Sequence, residues 1–168
     1  LAQNMIGKLY FKAYGMDIIS VRAFNHIGPG QLPQFVVADF CKQAAEISMG
    51  RREPVMRVGN LSAKRDFTDV RDIVRAYAEL ALKGKSGETY NVGSGHAVSI
   101  QYVLDRIIEL SDVDIRIETD PEKLRPVDVP FIEADVTKLK RDTGWEISVS
   151  LEQSIADIMR YFVEKLNN

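Results

Sequence analysis

The chain has 168 residues, of which 45% are hydrophobic and 27% are charged, and this is typical of a soluble globular unit with a sizeable core. Its net charge of −2 provides no basic field for nucleic acid, so an anion site must come from a few placed arginines. The single cysteine, Cys41, excludes an internal disulfide, and the two histidines and one cysteine lie too far apart in the sequence to predict a structural zinc site. No apolar run approaches the ~20 residues of a membrane span. We expect a cytoplasmic protein without a nucleic-acid partner, membrane segment or bound metal.

Hydrophobic periodicity and punctuating residues predict the elements in chain order. Helices are expected over 1–14, 34–49, about 69–82, about 99–110, 135–144 and 150–166. Short strands are expected over 17–24, 54–58, 89–92 and 114–118, with a loop over 25–33, a polar turn over 60–64 and irregular chain over 121–130. Ser99 is a predicted helix cap, Thr68 or Asp69 caps the helix before it, and Ser150 with Gln153 forms a predicted capping box.

Strands and helices alternate, which predicts an α/β fold. The strands are too few for a complete doubly wound sheet, and the glycine fingerprint that cradles a dinucleotide pyrophosphate does not occur in the sequence. Gly93-Ser94-Gly95 is followed by no Lys-Ser/Thr pair, so a turn is expected there. Because Leu1 already falls within a predicted helix, we expect the chain to begin inside an element of a longer protein.

Three segments contain candidate ligand-binding residues. Asn25 follows a predicted strand, and ligands of open α/β sheets lie at the carboxyl ends of strands. Arg65 precedes a predicted helix, where a guanidinium can hold a diphosphate in a bidentate manner. Arg125 and Asp128 lie in a proline-stiffened stretch and suit a ligand with phosphate at one point and hydrogen-bond donors at another. Local salt bridges and an ordinary strand–loop junction explain the same residues without a ligand.

In order, the segments RAFNHIGPGQ, VGNLSAKRDFTDVRDIVRAY, GETYNVGSG, LRPVDVP and TGWEISVSLEQSI resemble the C-terminal half of an extended short-chain dehydrogenase/reductase. The resemblance covers essentially the whole chain. It implies that residues 1–33 complete a Rossmann domain. Residues 34–168 would mostly form the small mixed α/β domain that binds a nucleotide sugar, with some segments returning to the Rossmann domain. The catalytic Tyr-x-x-x-Lys pair of the family would precede Leu1.

The resemblance also assigns roles to individual residues. Asn25 matches the asparagine that contacts the nucleotide sugar, and Arg65 matches the arginine that contacts its nucleotide. Arg125 and Asp128 match the pair that holds a GDP moiety, and His26 lies where the family borders the nicotinamide of NADP or NAD. The cofactor itself would be bound mainly outside this chain.

Within the family, the pattern is most similar to NAD(P)H-dependent reductases that convert the C4 ketone of GDP-4-keto-6-deoxy-D-mannose to GDP-D-rhamnose. Asp39 stands where GDP-mannose 4,6-dehydratases are expected to have lysine, and Gly30-Gln31 replaces two arginines, so reductase is favoured over dehydratase. A 4-epimerase, a dehydratase of another nucleotide sugar and a non-catalytic nucleotide-sugar-binding domain stay as alternatives. The resemblance further implies a homodimer that associates through the helix of residues 1–14.

Overall fold

The structure, a computed structural model, describes residues 2–124 and 129–167. The helices are α1 (Ala2–Tyr14), α2 (Val36–Ser48), α3 (Val70–Lys83), α4 (Ile100–Ser111), α5 (Thr137–Thr143) and α6 (Leu151–Asn167). The strands are β1 (Ser20–Ala23), β2 (Asn25–Ile27), β3 (Val55–Val58), β4 (Lys64–Asp69), β5 (Thr89–Val92), β6 (Ala97–Ser99), β7 (Arg116–Thr119) and β8 (Phe131–Ile132). One 3-10 turn covers Pro121–Lys123.

The strands form three small sheets, which agrees with the predicted α/β class. β1 pairs with β5 and β3 pairs with β7, both in parallel. In the third sheet, β4 pairs with each of the other strands. Its first half pairs antiparallel with β6 and parallel with β8, and its second half pairs parallel with β2. The mainly parallel pairing places the carboxyl ends of several strands along one edge, where ligands of α/β proteins bind.

Side-chain caps begin three of the helices as the sequence predicts. Asp69 accepts a hydrogen bond from the backbone N–H of Arg71 at 2.8 Å, and Ser99 accepts from Tyr102 at 3.0 Å. The hydroxyl of Ser150 accepts from the backbone N–H of Gln153 at 3.1 Å. The reciprocal half of the predicted capping box is replaced, because the Gln153 amide donates to Asp157 instead, at 2.8 Å.

Strands β4, β6 and β8, together with the short β2, depart from the prediction. The stretch Lys64-Arg65-Asp66 continues a polar segment that was expected to be a turn, yet it is the first half of β4. Tertiary pairing explains the difference, because β4 lies between strands from distant parts of the chain. The Asp66 carboxylate is buried against backbone N–H groups of the turn after β5 and of the chain after β8.

Two hydrophobic clusters form the interior. The larger one joins α2, α4 and α6 with β3 and β4, and includes Phe40, Cys41, Met56, Leu104, Ile107 and Ile158. The smaller one joins α3, α5 and β5, and includes Leu80, Tyr90, Leu139 and Trp145. Burial raises the pKa of the Cys41 thiol, so this cysteine has only a packing role.

Trp145 and Arg75 form one contact between α3 and the segment before α6. Trp145 is buried, and its ring N–H donates to the carbonyl of Asp72 at 3.1 Å. The guanidinium of Arg75 binds the Asp72 carboxylate and the carbonyl of Glu146. It also lies 5.8 Å from the centre of the Trp145 ring, within range of a cation–π contact.

Candidate functional site

The chain passes from one sheet to another at Phe24. Its backbone N–H donates to the carbonyl of Val92 at 2.8 Å, which continues the β1–β5 pairing by one residue. The next residue, Asn25, already pairs with Phe67 of β4. This change of sheet places the polar pair Asn25-His26 directly beyond the carboxyl end of β1, where the sequence predicted a ligand-binding position.

Arg65 lies on the same side of the sheet as Asn25. Alternate residues of a strand share a face, so Arg65 and Phe67 point the same way, and Asn25 is the partner of Phe67. The Arg65 guanidinium donates to the carbonyl of Lys64 at 2.8 Å, and its side chain is half-buried. Two residues 40 positions apart in the sequence therefore reach one surface.

That surface is a groove of ≈ 890 Å³, which we call the carboxyl-end groove; its polar lining includes Asn25, His26, Asp39, Asn60, Arg65 and Lys123. Phe24 follows β1, Gly59 follows β3, and Lys123 lies four residues after the end of β7. The groove thus lies beyond the carboxyl ends of three parallel-paired strands. Its size is within the range of ~300–1,000 Å³ that accommodates small ligands and cofactors.

The N-terminus of α2 forms one end of the groove. Val36 and Val37 of its first turn line the groove, and Phe35 at the N-cap position offers no side-chain acceptor for their N–H groups. Phe35 is also half-exposed and apolar. A helix N-terminus carries partial positive charge, so this end of the groove favours an anion, and the Phe35 ring offers an apolar surface beside it.

His26 lies at the edge of the same groove and is exposed. One ring nitrogen, Nδ1, lies 3.1 Å from the carbonyl oxygen of Phe24, and the carbonyl of His26 accepts from the Gln31 amide at 2.9 Å. The side-chain oxygen of Gln31, Oε1, is buried and has no hydrogen-bond partner among the described residues. The loop that follows β2 is thus held against the histidine backbone rather than extending into solvent.

The Gly93-Ser94-Gly95 turn binds an internal anion. The backbone N–H groups of Ser94 and Gly95 donate to the Asp66 carboxylate at 2.7 and 2.9 Å, and that of Ala134 donates to it at 3.0 Å. Asp66 is fully buried. The turn therefore holds a carboxylate of this chain rather than a cofactor pyrophosphate, in agreement with the predicted turn.

The wall between α2 and the 3-10 turn contains an ion pair that the sequence did not predict. Lys123 Nζ lies 2.6 Å from Asp39 Oδ2 and donates to the carbonyl of Arg57 at 3.0 Å. The Gln43 amide reaches the same Asp39 oxygen at 3.0 Å. Lys123 is two positions before Arg125, so the cluster of basic residues in this stretch was the available signal for it.

Three of the predicted site residues, Asn25, His26 and Arg65, therefore meet at one groove. Arg125 and Asp128 lie outside the described residues, and their roles stay predictions. Within residues 2–124 and 129–167, no three histidine, cysteine or acidic side chains are grouped as metal binding requires. In the same part of the chain, no helix combines the length and the apolar character needed to cross a membrane.

The sequence and the fold match known proteins over most of the chain. The family described as GDP-mannose 4,6 dehydratase matches residues 1–158. GDP-6-deoxy-D-mannose reductase of Pseudomonas aeruginosa is 32% identical over 86% of this chain and 48% of the relative. GDP-mannose 4,6-dehydratase of Sinorhizobium fredii is 26% identical over 90% of this chain and 48% of the relative.

Solved structures give the same result. RMD from Pseudomonas aeruginosa, complexed with NADPH, superposes with a TM-score of 0.92 at 29% identity, over 98% of this chain and 54% of that one. UDP-glucose 4-epimerase of Thermotoga maritima, with UDP-glucose, superposes with a TM-score of 0.82 at 28% identity, over 98% and 52%. The chain spans about half the length of the relatives it matches. It belongs to the GDP-mannose 4,6 dehydratase family of extended short-chain dehydrogenase/reductases.

Proposed function

We propose that this chain is the GDP-sugar-binding part of an NAD(P)H-dependent oxidoreductase that reduces the C4 ketone of GDP-4-keto-6-deoxy-D-mannose to GDP-D-rhamnose. The observation that carries the proposal is the carboxyl-end groove, where Asn25, His26 and Arg65 converge in a chain 32% identical to a GDP-6-deoxy-D-mannose reductase. The groove is of suitable size for a nucleotide sugar, and its lining includes the basic side chains of Arg65 and Lys123 beside the acidic Asp39 and Glu122.

In this reaction a bound nicotinamide supplies the hydride that reduces the ketone. The glycine turn of this chain is filled by Asp66, which supports the proposal that the cofactor is bound mainly outside the chain, with His26 bordering it. NADP and NAD are both retained as candidate cofactors. The matched structures contain NADPH in one case and NAD in another, a dTDP-glucose 4,6-dehydratase of Bacillus anthracis.

The role of this chain is to hold the sugar carbon in place through the distant nucleotide. Arg65 would bind the diphosphate by charge-assisted hydrogen bonds, and Asn25 would bind the sugar side of the ligand. Arg125 and Asp128 would hold the guanine end. Binding of the remote nucleotide supplies free energy that holds the reacting carbon in one orientation. The reaction then starts from an oriented complex and not from a bimolecular encounter.

The division of the chain into two parts is also a proposal. The smaller hydrophobic cluster, around β5, α3 and α5, would belong with residues 1–33 to the Rossmann side, and the larger one would form the nucleotide-sugar-binding domain.

Large apolar side chains along α1 are exposed, including Met5, Leu9 and Tyr14, which supports a homodimer through this helix. Leu9→Glu should then give monomers in sedimentation velocity. The cytoplasmic location stays a prediction.

The test is an assay of the full-length protein with the 4-keto sugar nucleotide and either reduced cofactor. We expect oxidation of the cofactor, and we expect Arg65→Met to raise KM between about tenfold and a hundredfold with little change in kcat. Arg160→Met is the matched control, since Arg160 is exposed on α6 and, among the described residues, its ion pair is with Asp157 at 3.5 Å.

Two outcomes would change the assignment. If the protein converts GDP-mannose to a 4-keto sugar and does not reduce that keto sugar, the dehydratase alternative is correct. The description of the matched family, GDP-mannose 4,6 dehydratase, favours this alternative. Failure of both reactions with intact binding of GDP-sugar would instead support the non-catalytic binding domain.

A further inference from the structure

Asp39 poses an electrostatic problem for the proposed ligand. It lies in the first turn of α2 and lines the carboxyl-end groove, close to where a diphosphate would meet the helix N-terminus. A bare carboxylate there would repel phosphate. A cation that offsets this charge must therefore come from another element.

Lys123 supplies that cation from a different element. Its ammonium group is 2.6 Å from Asp39 Oδ2 and 3.0 Å from the carbonyl oxygen of Arg57. The side chain of Lys123 is 35% exposed and that of Asp39 is 24% exposed, so the pair is partly shielded from water but open to the groove. An ammonium has three N–H donors, and these two acceptors leave one for a ligand.

The backbone around Lys123 is fixed against β3. The N–H of Asp120 donates to the carbonyl of Val58 at 2.8 Å, which extends the β3–β7 pairing into the 3-10 turn. The carbonyl oxygen of Lys123 would lie 2.6 Å from a Cβ at Gly59, so only glycine permits this approach. Lys123 is therefore a positioned side chain on an anchored turn, in contrast to the mobile lysines usual on protein surfaces.

We propose that Lys123 binds the diphosphate of the nucleotide sugar directly, and that Asp39 is the positioning residue that holds its ammonium at the groove wall. The proposal rests on the proposed function and deepens it. The two residues come from different elements, Asp39 from α2 and Lys123 from the 3-10 turn, and both line the groove.

The test is titration of the full-length protein with GDP and with guanosine. Lys123→Met should weaken GDP binding between about tenfold and a hundredfold, because one charge-assisted contact is lost and Asp39 becomes unpaired. Guanosine binding should be unchanged, and Lys123→Arg should keep most of the GDP affinity. Lys42→Met is the matched control, since Lys42 lies on α2 and pairs with Glu46 at 3.5 Å, away from the groove.

The double variant Asp39→Asn/Lys123→Met tests whether Lys123 contacts the diphosphate directly or only neutralises the charge of Asp39. Removal of Asp39 relieves its repulsion of phosphate, so the double variant should bind GDP more tightly than Lys123→Met, yet about tenfold more weakly than the wild type. If it binds like the wild type, Lys123 only neutralises Asp39 and the proposal is wrong. Circular dichroism and thermal melting establish that each variant is folded.

The remaining outcomes are also decisive. Unchanged GDP affinity in Lys123→Met would overturn the proposal while leaving the proposed function intact. An equal loss for guanosine and GDP would place Lys123 at the nucleoside and overturn the diphosphate contact. Absence of GDP binding by the wild type would contradict the proposed function, and with it the role of Lys123 that rests on that function.

Discussion

A single carboxylate connects three segments behind the carboxyl-end groove. Asp66 accepts hydrogen bonds from the backbone N–H groups of Ser94, Gly95 and Ala134, and its neighbour Arg65 faces the groove. These donors belong to the turn after β5 and to the chain after β8. The position of Arg65 therefore depends on a buried residue that no ligand would touch.

Asp66→Asn should be strongly destabilising although the side chain keeps its size. The amide NH2 group would face backbone N–H donors, and each buried donor left without an acceptor costs ~1–3 kcal/mol. We expect the free energy of unfolding, measured by urea denaturation, to fall by about 3 kcal/mol. Asp105→Asn is the control, because Asp105 is exposed and binds only the Gln101 side chain among the described residues. Equal stability of the two variants would contradict this role.

Sequence patterns identify residues that face a ligand more readily than residues that support them. The sequence marks Asn25 as following a strand and Arg65 as preceding a helix; the structure places Arg65 within β4 and brings both residues to one groove. The supporting residues gave no such signal. Asp66, Asp72 and Arg75 are charged residues in a charged stretch, and only tertiary contacts show that the two carboxylates are buried with backbone partners.

At the scale of elements, the start of α3 is packed tightly against the end of β2. A Cβ on Gly28 would lie 2.6 Å from the Cγ1 of Val70, the first residue of α3. Gly28 is buried, and Val70 has a stiff β-branched side chain that cannot turn away freely. The glycine is thus required for a close approach between two elements.

Gly28→Ala should therefore destabilise the protein by about 1–3 kcal/mol, the usual cost of overpacking. In the Gly28→Ala background, Val70→Ala should restore part of that loss, since it removes the colliding methyl groups. Urea denaturation of the wild type, both single variants and the double variant measures the coupling. Strictly additive effects would show that the two residues are not in the contact described.

Helices were predicted more successfully than strands, and the reason is physical. Each of α3, α4 and α6 has a local signal, namely an apolar face and a side-chain cap within its own residues. β6 and β8 have three and two residues, and their existence depends on pairing with β4, which is distant in sequence. β4 itself begins with Lys64-Arg65-Asp66, whose polar pattern indicates a turn until its partners are known.

At the scale of the whole molecule, acidic side chains bind segments that are far apart in the sequence: Asp69 binds Ser154, Asp72 binds Ser148, and Asp142 binds Tyr90. Burial alone would raise the pKa of Asp69, but hydrogen bonds from Arg71 and Ser154 outweigh it and leave that pKa lowered. The pKa of Asp72 is lowered in the same way: burial opposes it, and hydrogen bonds from Arg75 and Ser148 prevail. A hydrogen bond from Arg141, with another from Tyr90, lowers the pKa of Asp142 to about 2.

These shifts predict acid sensitivity. A carboxyl whose pKa is lower in the folded state than its usual 3.8 stabilises the fold above that value, and the contribution is lost as the pH falls through the folded pKa. From these groups we expect little change in unfolding free energy between about pH 7 and 5, and a decline between about pH 4 and 2. Urea denaturation at pH 7, 5 and 3 measures the free energy of unfolding across this range. A flat profile down to pH 3 would contradict the described contacts.

The family could be predicted because its motifs occur in a fixed order along the whole chain, and the matched family and relatives confirm it. The homodimer and the choice between NADP and NAD stay predictions.

A crystal structure of the full-length protein with GDP bound tests the role of the carboxyl-end groove most directly. We expect GDP in this groove, with its diphosphate within hydrogen-bond distance of Arg65 and close to the first turn of α2. GDP bound elsewhere, with the groove of Asn25, His26 and Arg65 free of nucleotide in a crystal where it is open to solvent, would show that the groove is not the nucleotide-sugar site.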